Sequence, residues 1–388
     1  MKPLSRNAAG LAPQGIRAVM ELARQVPGCI HLELGEPDFP TPPHIVEAAV
    51  AAAREGWHKY TPNAGLPELR EAVARRVAAD DGLAVEARQV CIHPGAVTGI
   101  ASALMALVEP GDEVLVPALS WPNATMFLEL QGARAVPYPL PAERGFLPDP
   151  ESIGRLVGPR TKVLLLNTPA NPTGAVFPES LVRDLVEVAR AHDLWILSDE
   201  IYARIVFDAS HVSPARFAPE RTVVVSGLSK AYAMTGWRIG YTISPRQVAD
   251  LIVRLQEPLI SCTNTIAQRA ALAALDGPQA CVAEMRDAYH RRRDRAVELL
   301  ATLGLPAYRP QGAFYLMVPA TLPGEPSTDA ARRMVLEQGV AVAPGSAFGT
   351  AGEGLVRVSL ASSEADLSEG LRRLAAHMAG ERAAATSG

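Results

Sequence analysis

The stretch TVVVSGLSKAYAMTGWRIGY, residues 222–241, begins with a β-branched run, passes into small residues and then presents Lys230. Arg238 follows in the same stretch, between Gly236 and Gly240. A lysine among small residues at the end of a strand is partly desolvated, so its amine can form an imine with a carbonyl group. A nearby arginine offers a fixed positive fork to a phosphate. Together these two features predict a site for pyridoxal phosphate.

The composition narrows the class of protein. The chain has 388 residues, of which 48% are hydrophobic, and a formal charge of −4 with acidic and basic residues interspersed. Such a length predicts roughly two or three domains. The charge balance predicts no general attraction to nucleic acid or to anionic membranes. The densest basic run, HRRR at residues 290–293, is expected to be the solvated face of a long helix.

Cysteine usage and the N-terminus bear on the cellular compartment. The four cysteines, at positions 29, 91, 262 and 281, have neither CxxC nor zinc-like spacing, which is typical of reduced thiols. The N-terminal residues lack the apolar core of a secretory signal, and no apolar stretch is long enough for a membrane span. We therefore expect a cytoplasmic protein without a membrane segment. The eight histidines show no metal-like spacing, so no metal site is expected.

Short apolar runs alternate with helical patterns between about residues 90 and 245, which predicts an α/β fold with a mostly parallel, seven-stranded sheet. The expected strands are Val90–His93, Glu113–Val116, Ala133–Pro137, Lys162–Asn167, Leu194–Asp199, Thr222–Gly227 and Arg238–Ile243. A long helix and two further strands after about residue 280 predict a smaller α+β domain. The expected division is an N-terminal segment 1–45 joining the small domain, a large cofactor-binding domain 46–280, a small domain 281–380 and a disordered tail 381–388.

Polar residues stand at the ends of three predicted strands. Asn167 leads to Asn171, and Asp199 and Lys230 close or follow the next two strands. Ligands of open α/β sheets collect at the carboxyl ends of the strands. Taken singly, Asp199 could be only a helix cap and Asn171 only a turn residue. Their combination with Lys230 in one topological position favours a binding site.

The motifs NTPANPTGAVF, WILSDEIY and SGLSKAYAMTGWRIGY closely resemble those of the class I/II aminotransferases, the aspartate aminotransferase-like enzymes of fold type I that use pyridoxal phosphate. The resemblance begins at LELGEPDFPTP, continues through KYTPNAGLPELREAV and ends with GAFY and LVRVSLA, so it covers nearly the whole chain. An ordered series of motifs is far more specific than a single glycine pattern.

The resemblance implies roles for the residues that meet the cofactor ring. Lys230 would hold pyridoxal phosphate as a Schiff base and then act as the catalytic base. Asp199 would face the pyridine nitrogen and keep it protonated. Asn171 and Tyr202 would donate hydrogen bonds to the ring's 3-oxygen. Trp121, in ALSWPN, would stack on the ring and border the substrate.

The phosphate is expected to contact Arg238, Ser229 and the backbone at the start of a helix, residues Gly95, Ala96 and Val97. This segment departs from the commoner family form, in which a polar side chain closely follows the glycine. Backbone contacts are therefore expected there. Gly227 also replaces the serine that often stands three residues before the lysine, so one phosphate hydroxyl is expected to be missing.

Substrate and partner contacts also follow from the resemblance. Arg357 would grip the α-carboxylate of the substrate with its planar fork, alongside Asn171, and Gly35 would let the backbone approach the same group. The alternative for Arg357 is a structural ion pair. Tyr60 resembles the tyrosine that reaches the phosphate of the neighbouring subunit, which implies a homodimer with shared sites. Arg17 could approach the distal end of the substrate or could be a solvated helix residue.

The expected activity is transamination by a ping-pong mechanism, from an L-amino acid to a 2-oxo acid such as 2-oxoglutarate or pyruvate. A β-lyase, decarboxylase or oxidase on the same fold is the alternative, because these reactions share their first steps. A cofactor-binding regulator is a third class, but it would need a DNA-binding extension. No arginine lies between Arg254 and Arg269, where dicarboxylate-specific members often have one. This absence favours a neutral aliphatic or aromatic amino donor.

Overall fold

The computed structural model describes residues 2–11, 15–305 and 307–387, with side chains described up to residue 379. The strands of these ranges are β1 (Ile30–His31), β2 (Val90–His93), β3 (Glu113–Pro117), β4 (Arg134–Tyr138), β5 (Thr161–Asn167), β6 (Trp195–Asp199), β7 (Thr222–Gly227), β8 (Gly240–Ile243), β9 (Tyr315–Val318), β10 (Val340–Ala341), β11 (Ala343–Pro344) and β12 (Val356–Ser359). The helices are α1 (Arg6–Gly10), α2 (Gly15–Ala23), α3 (Pro43–Arg54), α4 (Pro67–Asp81), α5 (Ala96–Leu107), α6 (Asn123–Gln131), α7 (Pro150–Leu156), α8 (Glu179–Ala191), α9 (Arg246–Ile260), α10 (Thr265–Asp276), α11 (Ala280–Thr302), α12 (Ser327–Gln338) and α13 (Glu364–Ser387).

Seven strands form one sheet in the order β2-β8-β7-β6-β5-β3-β4, and β8 alone runs antiparallel to its neighbours. Strand β5 shows why the sheet is buried on both sides. Leu164 and Leu166 pack into the core on one face, while Val163 and Leu165 pack into the core on the other. Alternate residues point to opposite faces of a strand, so a strand covered on both sides must be apolar throughout. The predicted α/β fold with a mostly parallel, seven-stranded sheet is confirmed.

The topology brings the carboxyl ends of β2, β5, β6 and β7 to one edge of the sheet, because these strands are mutually parallel. Their last residues, in the order of the sheet from β2, are His93, Gly227, Asp199 and Asn167. The chain returns along β8 and so places the segment after Lys230 beside the start of α5. The segments that follow these strands and carry predicted cofactor-binding residues therefore all begin at the same edge of the sheet.

A smaller unit is built on β9, β11 and β12, which form an antiparallel sheet in the order β11-β12-β9. The early strand β1 pairs in parallel with β10, and the backbone N–H of Ser359 donates to the carbonyl of Leu32. The N-terminal segment thus packs with the C-terminal part of the chain. The domain bounds themselves stay predictions.

Two sequence predictions differ from the structure at the level of elements. The seventh strand was expected to begin at Arg238 but begins at Gly240, because Arg238 has a φ of 56° and cannot continue a strand. The expected disordered tail starts at 381, whereas α13 continues to Ser387. Alanines in ERAAATS have a high helix propensity, which favours continuation of that helix. Gly388 lies outside the described residues.

The basic run of α11 is not a solvated face. Arg293 is fully buried and pairs with Asp208 at 2.7 Å, and Arg292 is buried and pairs with Asp38 at 2.7 Å. The prediction was wrong because both acidic partners are distant in sequence.

Among the described residues, no helix has the combination of length and apolar character that a membrane span requires.

Candidate active site

A cavity of about 450 Å³ opens at the carboxyl edge of the large sheet. Its walls come from the N-terminal segment, from the start of α5, from the ends of β5, β6 and β7, and from β9. The residues that border it are Arg17, Leu34, Gly35, Glu36, Ala96, Val97, Ile100, Trp121, Asn123, Asn171, Asp199, Ile201, Tyr202, Ser229, Lys230, Thr235, Arg238 and Tyr315.

Lys230 extends into this cavity from the turn that follows β7. Its Nζ donates a hydrogen bond to the carbonyl of Gly35 at 2.6 Å. Burial, together with the positive charges of Arg357 and Arg238, lowers the pKa of Lys230 to about 8. About a tenth of the amine is therefore unprotonated at pH 7, far more than for an exposed lysine, and is able to act as a nucleophile or base.

Asp199 ends β6 in the same cavity. Its Oδ1 accepts the backbone N–H of Ile201 at 3.2 Å. Burial, with a smaller contribution from the charge of the neighbouring Glu200, raises the pKa of Asp199 to about 6, despite the opposing effect of this hydrogen bond. The ionised form of a carboxylate in such surroundings is stabilised when a buried cation or an N–H donor lies next to it. The backbone around it is fixed, since Asn167 donates to the Asp199 carbonyl at 3.2 Å and accepts the N–H of Asn171 at 2.8 Å.

The start of α5 and the Arg238 turn form a cradle. Arg238 lies against Gly95, where an added Cβ would come within 2.6 Å of the guanidinium, and Gly95 has a φ of 86°. A Cβ at Gly240 would overlap the backbone of Ala96. The first N–H groups of a helix have no partner within the helix, so those of Ala96 and Val97 are suited to an anion. These close approaches explain why glycine occupies both positions.

Arg357 lies in β12 behind Asn171 and is 1% exposed. Its guanidinium donates to Asn171 Oδ1 at 3.0 Å and to the Glu33 carbonyl at 2.6 Å, and it stacks over the rings of Tyr315 and Phe348. Its buried Nε has no hydrogen-bond partner among the described residues. Burial lowers the pKa of Arg357 from its usual high value. Arg357 does not border the cavity itself and is joined to it through Asn171 and Tyr315.

Tyr315 is a site residue that the sequence predictions did not include. Its hydroxyl pairs with that of Tyr202 at 2.7 Å, and a Cβ at Gly35 would overlap the same hydroxyl. Tyr202 was expected to form a hydrogen bond with the cofactor oxygen, and its hydrogen bond with Tyr315 was not predicted. The GAFY motif was a signal for the family but carried no chemical role.

Three other predicted residues differ in whether they border the cavity. Trp121 borders the cavity and packs near Phe348, with ring centroids 6.3 Å apart. Tyr60 is 90% exposed and does not border the cavity of its own chain. Gly95 lies behind Arg238 rather than on the cavity wall.

Comparison with known proteins places this arrangement in a family. The family model "Aminotransferase class I and II" matches residues 27–374. An aspartate/prephenate aminotransferase of Thermus thermophilus is 41% identical, over 97% of this chain and 98% of its own length. Aromatic-amino-acid aminotransferase 2 of Thermococcus litoralis is 38% identical, over 96% and 97%. A solved structure of a Thermus thermophilus aspartate aminotransferase double mutant superposes with a TM-score of 0.92 at 42% identity, covering 97% of this chain and 99% of that one.

The chain therefore belongs to the class I and II aminotransferases. Members of this family use pyridoxal 5'-phosphate, and this protein is an aminotransferase that transfers an amino group between an amino acid and a 2-oxo acid. The residues present fit that cofactor. A lysine of lowered pKa, a buried carboxylate and an anion cradle share one cavity, and the cradle exists only because Gly95 and Gly240 lack a Cβ.

Proposed function

We propose that Lys230, Asp199, Arg238 and Arg357 carry out transamination in the roles that their positions suggest. The observation that carries this proposal is the Lys230 amine, whose pKa is lowered to about 8 in the same cavity as Asp199 and Arg238. Lys230 would hold the cofactor, Asp199 would face its ring nitrogen, and Arg238 with the Ala96 N–H would hold its phosphate.

When bound, pyridoxal phosphate supplies a ring that accepts the electrons left on Cα as the α-proton departs. Lys230 would be the base that takes that proton from Cα, which requires an unprotonated amine. Asp199, as a carboxylate, would pair with the ring nitrogen and keep a proton on it. Asn171 borders the cavity and would meet the substrate α-carboxylate there, while Arg357, which donates to Asn171 Oδ1 at 3.0 Å from behind, would add its positive charge, so that the Cα proton faces Lys230. Replacement of Asp199 by Asn should retain cofactor but slow the half-reaction with an amino acid; an unchanged rate would contradict this role.

The amino donor is proposed to be an amino acid with an apolar or aromatic side chain. Leu34, Val97, Ile100 and Trp121 give the cavity an apolar wall, and Val97 is 42% exposed there. An apolar substrate side chain gains about 0.8 kcal/mol for each methylene group that it buries on such a wall.

A panel of single amino acids, added without any oxo acid, tests the donor. The absorbance of the bound cofactor changes when the first half-reaction occurs, so the rate can be compared for leucine, phenylalanine, aspartate and glutamate. Faster conversion by phenylalanine or leucine than by aspartate is expected, and glutamate should also react, because it is the product of the proposed acceptor 2-oxoglutarate. A preference for aspartate would contradict the proposal and would agree with the name of the Thermus relative.

Arg17 is proposed to bind the distal carboxylate of a dicarboxylic acceptor, 2-oxoglutarate. It borders the cavity from α2, its side chain is exposed, and no contact with another described residue engages its guanidinium. A ping-pong enzyme must bind both substrates in one site, and an exposed arginine at the edge of that site can serve an acidic acceptor without obstructing an apolar donor. Its charge-assisted hydrogen bond is expected to contribute about 1.5–3 kcal/mol.

Replacement of Arg17 by Ala should therefore lower kcat/KM for 2-oxoglutarate by about 10- to 100-fold, because 1.4 kcal/mol corresponds to a factor of ten. The value for pyruvate, which has no distal carboxylate, should stay within about twofold. Arg24→Ala is the matched control, because Arg24 is an exposed arginine just beyond α2 and does not border the cavity. Equal losses for both acceptors would contradict this role for Arg17.

The assembly is proposed to be a homodimer in which Tyr60 reaches the phosphate of the neighbouring subunit. Its 90% exposure, with the ring outside the cavity of its own chain, supports a role toward a partner. Light scattering should give twice the 41.2 kDa mass of one chain.

All four cysteines are free thiols, which supports a reducing, cytoplasmic location that cell fractionation can test.

A further inference from the structure

A second cluster of titratable groups lies directly behind Asp199. Glu200 is the next residue, and alternate residues at a strand end point to opposite sides. Whereas Asp199 borders the large cavity, Glu200 borders a separate cavity of about 40 Å³, together with Asp81. Glu200 is 3% exposed, so its charge is buried close to the site.

The side chain of Glu200 is held at both oxygens. Ser213 Oγ donates to Oε1 at 2.7 Å, and His211 Nε2 lies 3.0 Å from Oε2, with the imidazole also 3% exposed. The backbone of Glu200 is tied to β7, because its N–H donates to Val225 O at 2.8 Å and its carbonyl accepts Ser226 Oγ at 3.2 Å. The peptide that joins Asp199 to Glu200 is therefore held at its N–H by Val225 and at its carbonyl by Asn167.

The charge of this cluster depends on His211. Burial would lower the pKa of His211, but the carboxylates of Glu200 and Asp81 outweigh burial and raise it above its ordinary value. The Nδ1 atom of the imidazole is buried and has no hydrogen-bond partner among the described residues. A protonated His211 would compensate the negative charge of Glu200.

The other charged groups around the pair are already balanced. Asp80 is paired with Arg204 at 3.0 Å and with Arg76 at 2.6 Å, so neither arginine is left to neutralise Glu200. Burial raises the pKa of Tyr232 to about 12 and raises that of Tyr241 above its ordinary value, so both phenols remain neutral. Burial also raises the pKa of Asp81 to about 6.

We propose that the Glu200–His211 pair is a positioning element for Asp199, which fixes its peptide and sets the electrostatic potential at its carboxylate. The proposal rests on the proposed contact of Asp199 with the cofactor nitrogen. The negative charge of Glu200 favours a proton at Asp199 and on the groups near it, and the positive charge of His211 opposes this effect. The pair thereby controls how strongly Asp199 holds a proton on the ring.

The test compares two substitutions that change the charge in opposite directions. Glu200→Gln removes a negative charge, and His211→Asn removes a positive one. In the purified holoenzyme, the pH midpoint of the cofactor absorbance change should fall by about half to one unit in Glu200→Gln and rise by a similar amount in His211→Asn. Loss of structure would not produce shifts of opposite sign.

Two further variants keep the test decisive if one substitution impairs folding. Ser213→Ala removes a neutral hydrogen bond from the same carboxylate and should leave the midpoint nearly unchanged. Asp81→Asn, at a half-buried position, removes a more distant negative charge and should lower the midpoint slightly. Shifts of the same sign in Glu200→Gln and His211→Asn, or no shift in either, would overturn the proposal.

The failure of this inference and that of the proposed function give different results. If Asp199→Asn leaves the cofactor spectrum and the half-reaction unchanged, the role of Asp199 is wrong. If Asp199→Asn has its expected effect but the two charge variants do not shift the midpoint, only the positioning role of the pair is wrong.

Discussion

Lys230 is the residue whose chemistry depends most on its surroundings. Burial and the positive charge of Arg357 both disfavour the ammonium form, which lowers the pKa of Lys230 to about 8. An ordinary lysine has a pKa of about 10.4. The cavity thus makes an unprotonated amine available at a pH where an exposed lysine is almost entirely charged.

The first prediction concerns the rate at which cofactor-free protein binds pyridoxal phosphate covalently. Only the unprotonated amine attacks a carbonyl, so the rate should rise about tenfold per pH unit below about 8 and level off above it. Arg357→Gln should move the midpoint upward, because it removes a positive charge. Stopped-flow absorbance measures both. A rate that rises steadily to pH 10, or a midpoint that does not move in Arg357→Gln, would contradict this account.

The second prediction tests why residue 35 is glycine. Gly35→Ala should lower kcat/KM for the amino donor, because the added Cβ would overlap the Tyr315 hydroxyl. Tyr315→Phe removes that hydroxyl and should restore part of the loss when combined with Gly35→Ala. A double-mutant cycle measures the coupling, which is expected at about 0.5–3 kcal/mol. Additive effects of the two substitutions would show that the overlap is not the cause.

At the scale of elements, the anion cradle depends on the close approach of β8 to the first turn of α5. Gly240→Ala should push the Ala96 backbone away and weaken cofactor binding by about tenfold or more, because the first N–H groups of the helix would be displaced. Gly236→Ala is the control, since a Cβ there meets no atom within 4 Å. Equilibrium dialysis of the cofactor distinguishes the two. Equal losses would point to a general backbone effect of alanine.

The same elements show how far sequence reasoning extends. Val90–His93 and Thr222–Gly227 were predicted with the observed bounds, because continuous apolar runs end there at proline or small residues. Arg238 was assigned to a strand, since nothing in its local sequence reveals its left-handed conformation or the room that Gly95 leaves for its guanidinium. The burial of Arg293 was missed for a similar reason, because its partner Asp208 lies 85 residues away.

The predictions about the site also depended on whether a feature is set by local sequence or by residues that are distant in sequence. Most residues that motifs identified, including Asn171, Asp199 and Lys230, border one cavity, since strand order alone brings them together. Their catalytic roles stay predictions. Glu200 and His211 were not expected as site residues, because their relation to Asp199 depends on which side of the strand end each side chain faces.

At the scale of the whole molecule, the site joins distant parts of the chain. Lys230 in the large sheet donates to Gly35 of the N-terminal segment, and Arg357 of the small sheet donates to Asn171 of the large one. A site of this kind is complete only when both units are in place. The proposed dimer adds one more contribution, Tyr60 of a second chain.

The prediction at this scale is complementation between two impaired variants. Lys230→Ala and Tyr60→Ala homodimers should each have low activity. A mixed dimer contains one site with both substitutions and one site with neither, so mixing after dissociation and reassociation should restore a substantial part of the activity. Mixing Lys230→Ala with Asp199→Ala is the control. There each substitution stays in the site of its own chain, so each site of the mixed dimer carries one change and neither is intact. No gain over the separate variants would contradict a shared site.

The first turn of α5 has a consequence for the evolution of this protein. Its backbone N–H groups belong to the cradle, while the side chain of Val97, with that of Ile100 in the next turn, forms part of the apolar wall. Because N–H groups are common to all residues except proline, a change of side chain there leaves them in place. Substrate preference can therefore diverge between descendants by single substitutions in this turn, while the grip on the cofactor is inherited unchanged.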